Sequence, residues 1–344
     1  MPEDKGLVLL TGGTGMIGIR ILQELLLAGY RVRLAVRTPS KVPRLLADPL
    51  VAPHAHRVET ASVPDIAAPR AFDEAIRGVR YVVHCASPVV EPHLQGTDYE
   101  VTLFRPAERG TLEVLEAAAR EGEGVRAAVI TASMASIVPV MLMDEVTVYD
   151  ESARVDKVTG GPYATLTAAY YESKVVAFHA VEKFIADVKP SFKIVNLLPG
   201  FVLGPNRMAT RPEDDTLVAN RIIMAPLLGH ALPYPLPPWS AHVDDIARLH
   251  VEALALEGGH DDFVTIARAE GQPWAEAADI VRRRFPKEVE AGIFHPDVMD
   301  KAMSTKHKAS AAKAEKVFGI KWKSFEEQVV DLIEHYLELK RRAE

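Results

Sequence analysis

The stretch Leu7-Val8-Leu9-Leu10-Thr11-Gly12-Gly13-Thr14-Gly15-Met16-Ile17-Gly18 decides the fold. Its apolar run suits a strand covered on both faces, and helical spacing follows from Ile17 to Leu27. In the turn between them, Gly12 permits the sharp reversal and Gly15 lets the backbone approach a pyrophosphate. Gly18 lets the helix pack close on the strand. The amides and dipole of the helix N-terminus then face the phosphates. A glycine triplet alone says little. In this strand–turn–helix order it predicts a dinucleotide site built from Thr11, Gly12, Thr14, Gly15, Met16 and Ile17.

Working outward, Val32–Val36, Tyr81–His84, Ala127–Ile130 and Phe192–Val195 are further near-continuous apolar runs. Helical patterns separate them at Ala71–Ile76, Thr111–Arg120 and Ala168–Asp187. Strict alternation predicts an α/β fold with a Rossmann-type, doubly wound parallel sheet. After Pro199 the alternation fails and a proline-rich stretch, Leu232–Pro238, intervenes. A smaller, interleaved C-terminal substrate domain is expected there. The expected division is residues 1–200 and 236–268 for the dinucleotide-binding Rossmann domain, and 201–235 and 269–344 for the substrate-binding subdomain. Near the end, Ser324 and Glu327 form a capping box ahead of Val329, Val330, Ile333, Tyr336 and Leu337 at helical spacing, which predicts a core-packing helix.

The 344 residues are 48% hydrophobic and 25% charged with a net charge of −7, so a large core is available and the charge argues against nucleic acid or an anionic membrane as partner. The single cysteine, Cys85, excludes an intrachain disulfide and suits a reducing compartment. The apolar run Leu7–Leu10 is too short for a signal-peptide core or a membrane span, so a cytoplasmic location is expected. Monomer and homodimer both remain open.

The second strand runs into Ala35-Val36-Arg37-Thr38-Pro39-Ser40-Lys41. An NAD enzyme places an acid here, on the ribose hydroxyls. None is present. Arg37 suits bidentate pairing with a 2′-phosphate and Lys41 adds charge, which favours NADP(H); the competing reading of Arg37 is a solvated loop cation.

Tyr170 and Lys174 stand four apart in a helical stretch and share one face. A phenol of pKa ~10 is a poor acid at neutral pH, and an adjacent ammonium is expected to lower it. Ser133, after the Ala127–Ile130 strand, sits where ligands bind in such sheets and is placed to polarise a carbonyl; its competing reading is a loop-capping hydroxyl. Tyr171 has the wrong spacing and reads as packing. His54 and His56 have no carboxylate or thiolate cluster nearby, and no metal site is expected. His242 and His250 are read as structural residues flanking a helix start, and Cys85 as a buried small hydrophobe. Met141-Leu142-Met143 divides evenly between pocket lining and plain packing.

Taken together, these motifs resemble the extended short-chain dehydrogenases/reductases, in the branch of dihydroflavonol reductases, cinnamoyl-CoA reductases and fungal or yeast aldehyde and ketone reductases. The glycine turn, Arg37, Asp65-Ile66, His84-Cys85-Ala86-Ser87-Pro88, Ser133, Tyr170 with Lys174, Pro199-Gly200-Phe201-Val202 and His242–His250 fall in the family's order over nearly the whole chain. The resemblance implies that Asp65 and Ile66 meet adenine, that Ala86 and Ser87 line the cofactor, and that Pro199, Gly200 and Val202 lie by the nicotinamide. It further implies reduction of a small-molecule carbonyl by NADPH, with Tyr170 as proton donor and Lys174 holding the nicotinamide ribose. Leu198 stands where the family often has Asn, and the Arg105–Thr111 helix start has no Asn, which leaves the substrate open. Two alternatives stand beside this: an NAD-dependent sugar-nucleotide epimerase or dehydratase, and a non-catalytic NADP-binding protein.

Overall fold

The structure, a computed structural model, describes residues 5–88, 94–139, 147–156, 163 and 165–344. Met141-Leu142-Met143 therefore lies outside the described residues. In chain order the strands are β1 (Leu7–Thr11), β2 (Arg31–Val36), β3 (Val58–Ser62), β4 (Tyr81–His84), β5 (Ala127–Thr131), β6 (Val148–Tyr149), β7 (Lys193–Pro199), β8 (Phe201–Leu203), β9 (Ser240–His242), β10 (Asp261–Thr265) and β11 (Lys308–Ala309). The α-helices are α1 (Met16–Leu27), α2 (Val42–Leu46), α3 (Arg105–Glu121), α4 (Leu166–Val188), α5 (Arg221–Leu227), α6 (Val243–Ala253), α7 (Glu276–Arg284), α8 (Pro286–Glu290), α9 (Pro296–Met299), α10 (Ala312–Phe318) and α11 (Phe325–Ala343).

Seven strands form one sheet in the order β10-β7-β5-β4-β1-β2-β3. The pairings from β7 to β3 are parallel, and the order reverses direction beside β1, as in a doubly wound sheet. β1 is buried along its whole length, which is why its five residues are apolar or, at Thr11, internally hydrogen-bonded. On one face, Leu7, Leu9, Val82, Ala128 and Ile194 pack with Val114, Leu115 and Ala118 of α3 and with Val181 and Phe184 of α4. A side chain on Gly18 would place its Cβ 2.0 Å from the Gly12 carbonyl oxygen, so the close approach of α1 to the turn requires glycine there.

Two expectations need correction. The run Ala71–Ile76 is a series of turns, not a helix. Phe72, Ala75 and Ile76 are buried as the pattern required, but six residues are too few to repay helix nucleation. Arg70 enters the segment at φ 62, and its neighbour Asp73 is held by Arg70 and Arg120. Conversely, β3 was not expected: Val-Glu-Thr-Ala-Ser is a half-exposed edge strand with no apolar run to signal it.

The chain divides into two compact units, residues 1–141, 151–198 and 247–263, and residues 142–150, 199–246 and 264–344. The second has its own core, in which Trp274, Phe294, Met224 and Ile223 meet Val329, Leu332 and Ile333 of α11. Ser324 caps α11 as expected: its Oγ accepts from the Glu327 amide at 3.3 Å and its own amide donates to the Glu327 carboxylate at 2.7 Å. Here too lies a groove of about 470 Å³ lined by Arg268, Glu276, Asp279, Arg283 and Trp322. Its charges are largely paired, as in Arg268 with Glu276 and Arg283 with Glu326. No described helix is long and apolar enough to cross a membrane.

Candidate active site

Three groups from two elements meet in the first unit. Tyr170 and Lys174 lie one turn apart on α4, whose start is fixed by Thr165 accepting from the Ala168 amide at 3.1 Å. Ser133 follows β5 and reaches the Tyr170 side chain as a hydrogen-bond partner. Its Oγ also accepts from the Ala135 amide at 3.1 Å, capping a short 3-10 turn. The two readings of Ser133 are thus compatible, because the cap uses one lone pair and leaves the rest of the hydroxyl for its hydrogen bond with Tyr170.

Lys174 is 7% exposed. Its ammonium donates to Ser87 Oγ and lies 5.2 Å from the centre of the Tyr170 ring. Burial pushes it down to about 8 from its ordinary 10.5. The expected lowering of Tyr170 is not what the geometry gives. Burial pushes the phenol up to about 12, and the Ser133 hydrogen bond only partly offsets this. The reason is directional: Lys174 covers the ring face and spends a proton on Ser87. A phenol of this kind keeps its proton at neutral pH, so it is present in the form that can donate, as a weaker acid than an ordinary tyrosine. Tyr171 packs edge-to-face on Tyr170, with ring centres 6.4 Å apart.

Beneath Lys174 lies a buried network that sequence reasoning did not reach. The register of β1 on β4 sets Thr11 beside His84. Thr11 Oγ1 accepts from the amides of Cys85 at 3.2 Å and Ala86 at 3.1 Å, and contacts His84 Nδ1 at 3.0 Å. With its lone pairs so used, Thr11 donates its hydroxyl proton, which makes Nδ1 the acceptor and puts the His84 proton on Nε2. That nitrogen faces Thr111 Oγ1 of α3 at 3.5 Å, and Thr111 in turn donates to the Ala107 carbonyl at 2.9 Å. Burial and then the Lys174 ammonium push His84 down to about 3, so it is neutral. Cys85, beside it, is partly exposed and not fully buried as expected; burial still pushes its thiol up, away from nucleophilic character.

The glycine turn fits a dinucleotide on its own geometry. Gly12 has φ +71, and a Cβ there would fall 2.7 Å from the Ala86 amide nitrogen. Gly15 caps α1 in an extended conformation with no side-chain cap hydrogen bond, as a turn that presents backbone amides to a phosphate requires. Thr14 is half-buried in the turn. Arg37 and Lys41 are exposed beyond β2, and Arg37 makes no ion pair with a described residue. Asp65 is exposed after β3, its carboxylate accepting from the Ala67 amide at 2.9 Å, while Ile66 packs against Gly110 of α3. Ala86 and Ser87 are half-buried beyond β4. Pro199 ends β7, and Gly200 and buried Val202 lie at the start of and within the β8 region. Gly200 has a structural reason of its own, since a Cβ would meet the Trp239 carbonyl oxygen at 2.5 Å.

The histidines set aside earlier have partners. His242, just ahead of α6, accepts from the Asp244 amide at Nδ1 (3.0 Å) and faces Asp331 with Nε2 (3.2 Å). His242, Asp244 and Asp331 are close enough to share a metal ion. The Lys323 ammonium already lies 2.9 Å and 3.0 Å from the two carboxylates and supplies the cation. His250 sits in the last turn of α6 and not at its start, with Nε2 2.7 Å from Thr131 Oγ1.

Comparison with known proteins agrees with this architecture. Residues 8–267 match the model of the NAD dependent epimerase/dehydratase family. The chain is 36% identical to "Ketoreductase CTB6" of Cercospora beticola over 349 aligned positions, covering 98% of this chain and 97% of the relative. It is 32% identical to "NAD-dependent epimerase/dehydratase ALT6" of Alternaria alternata, over 96% and 97% of the two chains. Yeast methylglyoxal/isovaleraldehyde reductase Gre2, solved in complex with NADPH, has the same fold, with a TM-score of 0.79 at 20% identity over 98% of this chain and 99% of that one. The chain belongs to the NAD dependent epimerase/dehydratase family, the extended short-chain dehydrogenases/reductases.

Proposed function

We propose that the protein reduces an aldehyde or ketone to the alcohol with NADPH. The observation that carries this reading is the meeting of Ser133 with Tyr170 beside the buried Lys174 ammonium. The Ser133 hydroxyl donates to the carbonyl oxygen and draws charge onto it. Tyr170, which holds its proton at neutral pH, gives that proton to the same oxygen, and Lys174 stabilises the phenolate left behind. When bound, the dinucleotide supplies the hydride to the carbonyl carbon. Lys174 also offers a donor to the nicotinamide ribose.

Cofactor choice follows from Arg37 and Lys41 standing where an acid would select NAD. The turn residues Thr11 to Ile17 would hold the pyrophosphate, and Asp65, Ile66, Ala86, Ser87, Pro199, Gly200 and Val202 the remainder. The relative's name, ketoreductase, and the NADPH in the yeast neighbour support the reading.

Tyr170→Phe tests it. Turnover should fall by at least the ~10²–10⁴-fold that a positioned acid contributes, while NADPH still binds with near-unchanged Kd. Retained turnover would remove Tyr170 from the mechanism.

A further inference from the structure

We infer that His84 is a positioning residue for Lys174, acting as a neutral bridge that clamps the Cys85-Ala86-Ser87 segment between β1 and α3. The inference rests on the reductase reading only in giving Lys174 its task. Its own grounds are geometric. His84 is 2% exposed, and each ring nitrogen faces a buried threonine, Thr11 at 0% and Thr111 at 7% exposure. Thr11 passes the restraint forward, because the hydroxyl that meets His84 also receives the amides of Cys85 and Ala86. One residue further on, Ser87 Oγ receives the Lys174 ammonium. Fixing two successive amides leaves the Ser87 hydroxyl little freedom.

The choice of histidine follows from the hydrogen bonds. Thr11 must donate, since its lone pairs serve two amides, so its partner must accept. Thr111 donates to Ala107, so the same partner must donate to it. A neutral imidazole presents one acceptor and one donor on opposite edges of a rigid ring. Among the described residues, the groups facing Lys174 are Ser87, Cys85, the Tyr170 ring and His84. A charged His84 would repel the ammonium, and its burial keeps it neutral.

The test reads Lys174 directly. Protein labelled with ¹³Cε-lysine is titrated by NMR, with the Lys174 signal assigned by its loss in Lys174→Arg. Wild type should titrate near 8. His84→Leu should lower that midpoint by about one pH unit, the worth of one hydrogen bond to a charged group. Ser87→Ala should do the same. His84→Leu combined with Ser87→Ala should shift no further than Ser87→Ala alone, because the effect passes through Ser87. Should His84→Leu fail to fold, Thr111→Val removes only the Nε2 partner and should move the midpoint in the same direction by a smaller amount. An unmoved midpoint in folded His84→Leu or, failing that, in Thr111→Val overturns the inference, as does full additivity in the double variant. The readout needs neither substrate nor cofactor. Loss of the proposed reductase activity as a reading would therefore leave this test intact.

Discussion

Replacing Lys174 with methionine should make the protein more stable at pH 7 while abolishing turnover. A buried lysine is held as an ammonium against its desolvation cost, and the drop from 10.5 to about 8 measures that cost. At about 1.4 kcal/mol per unit it amounts to about 3 kcal/mol. The sign follows from linkage. The folded state disfavours the cation, so the penalty is fully present below pH 8 and vanishes as pH rises towards the unfolded value of 10.5. Methionine nearly matches the stem in volume, and the Ser87 hydroxyl it leaves is half-exposed and can be hydrated. The gain expected for Lys174→Met is therefore about 3 kcal/mol at pH 7, falling to about 1.4 kcal/mol at pH 9.5. Urea unfolding of both proteins at the two pH values reads this from midpoint and slope. A variant less stable than wild type at pH 7, or a gain that does not shrink at pH 9.5, would refute the account of Lys174 as a strained buried cation.

Two further outcomes follow. The rate should fall on the alkaline side with a midpoint near 8, set by loss of the Lys174 proton, and should drop roughly tenfold between pH 7 and pH 9; Tyr170, pushed up to about 12, ionises too late to produce that limb. In Gly18→Ala the new Cβ falls 2.0 Å from a backbone oxygen that cannot swing aside, so stability should decrease by about 1–3 kcal/mol and NADPH binding should weaken with it, as read by thermal unfolding and fluorescence titration.

What the sequence disclosed and what it hid divide along a physical line. Features written into contiguous residues were legible: the buried run of β1, the glycine turn, the four-residue spacing of Tyr170 and Lys174, and the Ser324–Glu327 cap. Features that depend on pairing were not. Thr11 and His84 are 73 residues apart and meet only because β1 pairs with β4 in one register. Likewise, α4 placed beside β5 turns Ser133 from a loop residue into a partner of Tyr170. The direction of the Tyr170 shift was misread because spacing reports proximity and not orientation, and Lys174 sits over the ring and not beside the hydroxyl. Edge strand β3 and the strand β10, which opens on two aspartates, lack the apolar runs that marked the inner strands.

NADPH-dependent carbonyl reduction is tested by following oxidation of NADPH and, in parallel, NADH by the purified protein against a panel of aldehydes, α-keto esters, diketones and aryl ketones. At least one carbonyl compound should be turned over, with a higher kcat/KM for NADPH than for NADH. Equal or better use of NADH, or protein that carries tightly bound NAD and turns over a sugar nucleotide instead, would contradict it.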